Sequence, residues 1–409
     1  MNRLRTYIFL LCLIGWGSVW AQTGVYSPYS RYAYGLMSDY SSVAYRSMGG
    51  VSTGMRSNRV INPAQPASYT ACDTMTFMFD VAAYVNWTQY RDGGGMRNKA
   101  NGNLAYVTLQ LPIWKKHIAM SLGLLPYSAC GYDLTLNERI GESDYTYAKQ
   151  YIGEGGISQV YGGLSGNLFN WVALGINVYY MFGDLENARY LAFDSPNVTD
   201  MVRASVLTVS SCRLRYGIQL FHTFDKHSFT VGAIYENPMK MNSHFNEASA
   251  TYLDTVYYSS EGMKLPHIFA VGASYTWDDR LTVGIDFERQ LWGGVGFLNN
   301  NSSFTIQLKD CNRLAIGVEY RHNRFGKNYA ERMMWRAGFS MRDSYIKVMP
   351  MNELHVSMGL GFPLRNAGTN FNVAIEYIRR GANNTLKENG LQVTINAAIR
   401  ETWFFKRKI

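Results

Sequence analysis

The sequence predicts an all-β fold: a transmembrane antiparallel β-barrel of about fourteen strands, with an N-terminal segment lodged in its lumen as a hatch. Three observations carry that expectation. First, apolar and polar residues alternate with a period of two. Leu391, Val393, Ile395, Ala397 and Ile399 interleave with Gln392, Thr394, Asn396, Ala398 and Arg400, and the beat returns over 281–287 and 354–362. Laid out as strands, such stretches have one oily face and one wet face. Second, the chain opens with the pattern of an export leader. Third, no later run is apolar enough for a spanning helix, which needs roughly twenty consecutive apolar residues. A mature chain that crosses a membrane must then do so as a barrel.

The leader is read over residues 1–21. Arg3 and Arg5 form its basic start, Tyr7 to Ile14 its apolar run, and Val19-Trp20-Ala21 a cleavage site before Gln22. Cys12 lies inside the apolar run, the wrong context for a lipoprotein cysteine. Residues 1–21 are set aside as a signal peptide, 22–72 as the N-terminal hatch and 73–409 as the barrel. Export and strand pattern together place the chain in the outer membrane of a Gram-negative bacterium.

Composition agrees. The chain has 30 Tyr and 38 Gly, and only 17% charged residues. Tyrosine suits strands and interfaces; glycine suits crowded positions inside a barrel. The net charge of +9 comes from scattered rather than clustered basic residues, which argues against nucleic acid. Cys72, Cys130, Cys212 and Cys311 are far apart, and no CxxC spacing points to zinc. Whether they are oxidised is not legible.

Residues 22–72 differ from the rest. Turn-formers dominate, with Ser-Pro-Tyr-Ser-Arg-Tyr at 27–32, Gly49-Gly50, Gly54, Asn62-Pro63-Ala64 and Pro66. Their apolar and aromatic content argues against a free disordered arm. A barrel this wide cannot fill its interior with strand side chains alone, and this is the one sizeable spare segment. The Asn62 side-chain amide is expected to anchor the end of the segment, since such groups readily bond nearby backbone.

Strand signals begin at Thr74. Tight connections at Lys115-Lys116, Phe169-Asn170, Asp225-Lys226-His227 and Asp278-Asp279, with longer ones near 321–333 and 363–370, fall on one side. The other connections fall near 91–102, 128–155, 184–203, 243–255, 290–306, 342–352 and 379–390. Short turns belong to the periplasm and long loops to the outside, which leaves both termini periplasmic. Trp114, Trp171, Trp277, Trp335 and Trp403 fall beside the expected periplasmic turns, and Trp87 and Trp292 at outer ends, as for indoles ringing both membrane interfaces. Asp286, Glu288, Glu319, Arg321, Arg336, Arg342, Glu376 and Arg400 are expected on the lumen face, because a charge facing lipid costs roughly 2–4 kcal/mol at mid-bilayer. Mutual ion pairing is the favoured reading of these groups.

No catalytic constellation emerges. His355 and Ser357 share a face, but alternation gives that spacing by chance. His222, Asp225 and His227 have metal-compatible spacing, yet a solvated turn is the favoured reading. The expectation is no enzyme, no cofactor and no metal.

Three stretches resemble the FadL-type outer-membrane transporters of long-chain fatty acids and other hydrophobic compounds. The first is Ser41 to Gly50, then Gly54, then Ile61-Asn62-Pro63-Ala64, a glycine-rich run followed by Asn-Pro-Ala ahead of the first strand. The second is Met263 to Phe269, where Leu265-Pro266 opens a strand running through Tyr275 and Trp277. The third is Gly123 to Ser128 with Gly131-Tyr132, which looks like the family's interrupted third strand. The resemblance covers essentially the whole mature chain. It implies a fourteen-stranded barrel whose hatch carries Gly49, Gly50, Asn62, Pro63 and Ala64. It also implies a third-strand kink at Pro126, Tyr127, Ser128 and Gly131 that leaves a lateral gap. Proline lacks an amide donor and can break a ladder; alternatively, Pro126 ends a strand at the membrane surface. Many outer-membrane barrels end in an aromatic residue, whereas here Trp403-Phe404-Phe405 is followed by the basic tail Lys406 to Ile409.

The function so implied is passive uptake of hydrophobic, fatty-acid-like molecules with lateral release into outer-membrane lipid. The alternatives are a FadL-like barrel serving protein secretion or surface attachment, with secretion machinery as partner, and a purely structural barrel. Ligand contacts and oligomeric state are not legible.

Overall fold

The computed structural model describes residues 25–92, 95–139, 146–194, 199–251, 254–261, 263–295, 306–347, 351–364, 369–381 and 386–402. The expected leader and Trp403 lie outside the described residues.

Fourteen antiparallel strands close into one barrel. They are β1 (Thr76–Asp92), β2 (Gly95–Trp114), β3 in two pieces (Ile118–Ala129 and Tyr132–Arg139), β4 (Thr146–Asn167), β5 (Val172–Phe193) and β6 (Met201–Phe224). Next come β7 (His227–Glu236 and Ser243–Thr251) and β8 (Asp254–Glu261 and Ile268–Trp277), both in two pieces. The remainder are β9 (Leu281–Gln290), β10 (Cys311–Tyr320), β11 (Met334–Arg342), β12 (Asn352–Pro363), β13 (Asn370–Gly381) and β14 (Lys387–Thr402). Pairing of β1 with β14, from Thr76↔Thr402 to Arg91↔Lys387, closes the ring and puts the start of β1 and the end of β14 at the same end. Among the described residues no helix is long and apolar enough to cross a membrane.

The sequence alternation becomes an inside and an outside. In β14, Leu391, Ile395 and Ile399 stand exposed on the outer face, while Gln392, Thr394 and Asn396 are buried. In β12, Leu354, Val356 and Met358 are exposed and Ser357 is buried between them. Large apolar side chains facing outward would be a liability in water; in a bilayer they are the belt that contacts lipid. Trp114, Trp171, Trp277 and Trp335 are exposed beside the short turns, and Trp87 is exposed within β1, five residues before its end. Trp292 is a correction: it is fully buried, its ring centroid 5.6 Å from Tyr34 and 5.1 Å from Tyr345, with its indole N–H donating to Gln290 Oε1 at 2.7 Å.

The tight turns fall where the sequence places them. Asp225, Asp278 and Asp279 take positive φ (48°, 50° and 54°), a region that Asp tolerates better than most residues. The opposite end departs from expectation. Much of 91–102, 128–155, 184–203 and 243–255 is strand rather than loop: β1 runs to Asp92 with β2 resuming at Gly95, and β4, β5 and β6 reach 22–24 residues each. Beyond the lipid belt both faces meet water, so the ladder continues without apolar alternation.

Residues 25–72 pack against the inner faces of the strands. They form two 3-10 turns (Pro28–Arg31 and Pro66–Ala71), one short helix (Val43–Arg46) and a two-residue strand (Leu36–Met37). Val43, Ile61, Tyr69 and Cys72 join a buried cluster with Met78, Tyr106, Tyr161 and Tyr179 from the wall. Tyr34 joins another with Tyr127, Met241, Leu265, Trp292 and Tyr345. The four cysteines among the described residues are free thiols, with Cys212 exposed and the other three buried.

Candidate functional site

The motif residues of the N-terminal segment are held by polar groups projecting inward from the strands. Asn62 Nδ2 donates to the carbonyls of Ser52 (2.8 Å) and Met55 (3.3 Å), which folds the segment back on itself. The Pro63 carbonyl accepts from Asn177 Nδ2 (3.0 Å) and the Tyr179 hydroxyl (3.2 Å) of β5, and the Ala64 carbonyl from Arg215 Nη1 (3.0 Å) of β6. Gly49 and Gly50 have φ of 71° and 78°, a left-handed pair that L side chains rarely adopt. A Cβ on Gly49 would come within 2.6 Å of the Phe339 carbonyl oxygen of β11. Arg313 donates to both glycine carbonyls (3.1 and 3.2 Å) and to Asp39 (3.0 Å). Burial opposes ionisation of Asp39, but Arg313, Arg46 and Arg342 outweigh it and hold the carboxyl below the usual range.

Two further wall residues, Asp286 and Glu236, anchor the segment. Asp286, expected on the lumen face, makes no ion pair within 4.0 Å among the described residues; it accepts from the backbone amides of Ser52 (2.6 Å), Thr53 (2.7 Å) and Gly54 (3.4 Å). Glu236 of β7 bridges Arg213 (2.8 Å) and Arg215 (2.5 Å), and Arg213 donates to the Pro266 carbonyl at 2.7 Å. One buried carboxylate thus joins the arginine on Asn62-Pro63-Ala64 to the arginine on Leu265-Pro266. Arg213 and Arg215 at i,i+2 mark a shared strand face, but only strand register brings Glu236 to them. Of the charges expected to pair with one another, Arg336 and Glu319 do so at 2.6 Å, whereas Arg342 turns to Glu353 (3.8 Å) and Arg400 to Asp73, Glu288 accepts from Gln290 (2.7 Å), Glu376 accepts from Gln392 (3.2 Å) and Arg321 donates to the Asp279 carbonyl (2.9 Å).

The third strand is in two pieces, Ile118–Ala129 and Tyr132–Arg139. Pairing of β2 with β3 ends at Val107↔Leu124. Beyond it β2 stays paired with β1, and β3 with β4, so the two strands part. Pro126 to Ser128 is a bulge in the β3–β4 ladder, and the strand resumes only at Tyr132. Gly155 on β4 and Gly183 on β5 flank the break with φ of 104° and 137°. A Cβ on either would lie 2.2 Å from a backbone oxygen, of Asp184 and Gly156 respectively.

Residues 26–38 cross this break from inside. Leu36 and Met37 pair with Ala129 and Ser128, the Ser38 amide donates to the Tyr127 carbonyl (2.9 Å), and the Ser27 amide to that of Gly131 (2.7 Å). The Gly131 amide donates to Ser30 Oγ at 3.0 Å. Tyr26 spans the gap: its hydroxyl donates to the Asp133 carbonyl at 2.6 Å, and Lys99 Nζ of β2 sits 5.0 Å from its ring centroid.

A cavity of about 620 Å³ leads from the interior to the break. At the break its lining includes the apolar Leu36, Met37, Leu104, Pro126 and Ala129, together with Ser128 and the carboxylates Glu154, Asp184 and Glu186. Inside, it is Arg46, Arg313, Arg342, Glu353, His355 and Arg380. Glu353 is shared by Arg380 (2.8 Å), His355 (3.6 Å) and Arg342 (3.8 Å). His355 and Ser357 therefore meet charge and backbone rather than each other: Ser357 Oγ accepts from the Gly49 amide at 2.9 Å. Among the described residues no three His, Cys, Asp or Glu side chains are grouped to hold a metal, and His227 Nδ1 lies 2.7 Å from the Tyr275 hydroxyl.

The barrel fold is similar to that of solved FadL-type and toluene transporters. A crystal structure of a Pseudomonas aeruginosa FadL homologue superposes with a TM-score of 0.62 at 12% identity, over 90% of this chain and 99% of that one. The Pseudomonas putida toluene transporter TodX gives 0.59 at 13% identity over 90% and 100%, and the Ralstonia pickettii toluene transporter TbuX 0.58 at 14% over 89% and 99%. At such identities the likeness establishes the fold. No curated protein matches the sequence. The family model of BamG matches residues 3–409, and the chain belongs to that family.

Proposed function

We propose that this outer-membrane barrel passively takes up amphiphilic, fatty-acid-like molecules and releases them sideways into the membrane between β2 and β3. The observation that carries the reading is the change of lining along the 620 Å³ cavity, from arginine-rich in the interior to the apolar Leu36, Met37, Leu104, Pro126 and Ala129 at the break, rimmed there by the carboxylates Glu154, Asp184 and Glu186. A carboxylate head suits the arginines, and an alkyl tail suits Leu36, Met37, Leu104 and Pro126. Each methylene taken out of water gains about 0.8 kcal/mol, so capture needs no chemistry. Residues 22–72 act as the hatch, fixed at Gly49-Gly50 and Asn62-Pro63-Ala64, and residues 26–38 act as its gate at the break. The short-turn end faces the periplasm, with both barrel termini there.

One feature favours a second reading, protein secretion or surface attachment. Glu154, Asp184 and Glu186 are exposed carboxylates at the mouth of the break, and the Tyr132–Arg139 edge of β3 has no strand beside it on the β2 side. An open edge and a charged rim suit a protein partner. The deciding test is radiolabelled oleate uptake in a host lacking its own transporter. The double variant Pro126→Val with Gly131→Val should lower uptake while heat-modifiable gel migration shows a folded barrel. Uptake no better than an empty vector, with the protein assembled at the surface, would transfer the assignment to the second reading.

A further inference from the structure

A second cavity, of about 580 Å³, opens at the short-turn end between the wall and residues 55–73. Its lining includes six cations (Arg56, Arg59, Lys116, Arg321, Arg324, Arg336) and three carboxylates (Asp73, Asp279, Glu319). All three carboxylates are engaged: Asp73 by Arg400 and Asn58, Glu319 by Arg336 at 2.6 Å, and Asp279 by Arg324 at 3.8 Å. The Arg324 pair is solvent-exposed on both sides and so holds weakly. Arg56 is satisfied by the Ala67 carbonyl (3.0 Å), the Thr70 hydroxyl (3.0 Å) and the Phe221 ring (3.9 Å).

Arg59 and Arg321 are different. Among the described residues the Arg59 guanidinium has no carboxylate within 4.0 Å. Arg321 is 6% exposed; it donates to the Asp279 carbonyl at 2.9 Å, but its buried Nε has no partner. Burial together with the Arg321 and Arg324 charges pushes Arg59 down to about 10, while Asp279 and Glu319 act the other way, so it is still a cation at neutral pH. Three guanidinium groups therefore converge with less negative charge than they need. Thr223, Ser228, Thr276 and Thr282 also line the cavity, with their hydroxyls bonded in the pairs Thr223–Ser228 (2.6 Å) and Thr276–Thr282 (3.0 Å).

We propose that Arg59, Arg321 and Arg324 form a binding site for a phosphate-bearing solute, entering from the short-turn end. Planar guanidinium forks match the oxygens of phosphate, and each such bond is charge-assisted. Three forks offer more donors than the two oxygens of a carboxylate can accept, which favours phosphate. The site lies at the opposite end from the cavity that leads to the β2–β3 break. It depends on the proposed orientation only for calling the entrance periplasmic.

The test uses the folded protein in non-ionic detergent, titrated calorimetrically with inorganic phosphate and, separately, with acetate. Saturable one-to-one phosphate binding is expected, at least tenfold tighter than acetate. Arg59→Gln should weaken it at least tenfold, Arg59→Lys less, and Arg59→Gln with Arg324→Gln should abolish it. Lys149→Gln, at the other end of the barrel, should leave it unchanged, and heat-modifiable migration checks that each variant is folded. No saturable phosphate binding, acetate binding as tight as phosphate, or phosphate binding unchanged in the double variant would each overturn the site. Oleate uptake plays no part in the readout, so the two proposals fail separately.

Discussion

Asp286 sits in β9 between Ile285 and Phe287, where alternation alone puts it inside. Three consecutive amides, of Ser52, Thr53 and Gly54, converge on its carboxylate, and Ser274 Oγ donates to the Gly54 carbonyl at 2.7 Å. Removing the carboxylate would leave buried donors without acceptors, at a cost on the order of 3 kcal/mol. Asp286→Ala should thus lower the temperature of the heat-modifiable gel shift, and Asp286→Asn should lower it less, since the amide oxygen still accepts. A shift unchanged in Asp286→Ala would mean that the turn is held by its other contacts. The motif residues were legible because they are conformational specialists: glycines at positive φ, an Asn that bonds backbone, a proline without an amide. Their wall partners were not, because a buried Asp, Arg or Glu on a strand shows its face but not its partner. Asp286 was legible as an inward-facing charge, but its partners, three backbone amides, were not. Glu236 meets Arg213 and Arg215 only through the β7–β6 register, in which Glu236 lies opposite Arg215.

Among the elements, the membrane-crossing halves of the strands were readable and the outer halves were not. Lipid on one side and water or protein on the other enforce a period of two, as in Leu391 to Ile399. Above the belt that constraint lapses. Arg97, Asn98 and Lys99 are all exposed in a regular strand, and nothing in their order distinguishes a ladder from a loop. Trp292 was misplaced for a related reason. Position at an outer end suggests an interfacial indole, but the 3-10 turn Trp292–Gly294 folds it onto Tyr34 and Tyr345. The difference is measurable in bilayers containing brominated lipids. Trp87, Trp114, Trp171, Trp277 and Trp335 stand 44–60% exposed on the outer face and should be quenched. Trp292 should account for the protected fluorescence, and Trp292→Phe should remove most of it. Quenching of every indole in the wild-type protein would contradict the buried placement.

For the whole molecule, the barrel wall and its contents are separable in a way that the hydrogen bonding makes testable. Among the described residues each strand is joined to both neighbours by backbone pairing, although the outer parts of β2 and β3 diverge and Asp254–Glu261 of β8 pairs with β7 alone, and β1 closes on β14 without help from residues 25–72. What those residues fill is an interior walled by polar side chains such as Asn177, Arg215, Gln219, Asn372 and Asn396, all buried. Deleting 22–72 would return these groups to water, which hydrates them readily, whereas an apolar interior would collapse or aggregate. The cost falls on the apolar clusters around Tyr69 and Tyr34, which lose their inner partners. The shell is therefore expected to assemble, and the lumen to become a water-filled path. Single-channel conductance in planar bilayers should rise at least tenfold over the intact protein. The break at β3 should also lose its inner cover, so the deleted form should bind oleate less tightly even where it conducts ions freely. A folded, heat-modifiable barrel with unchanged conductance would show that the wall itself, and not residues 22–72, blocks the pore.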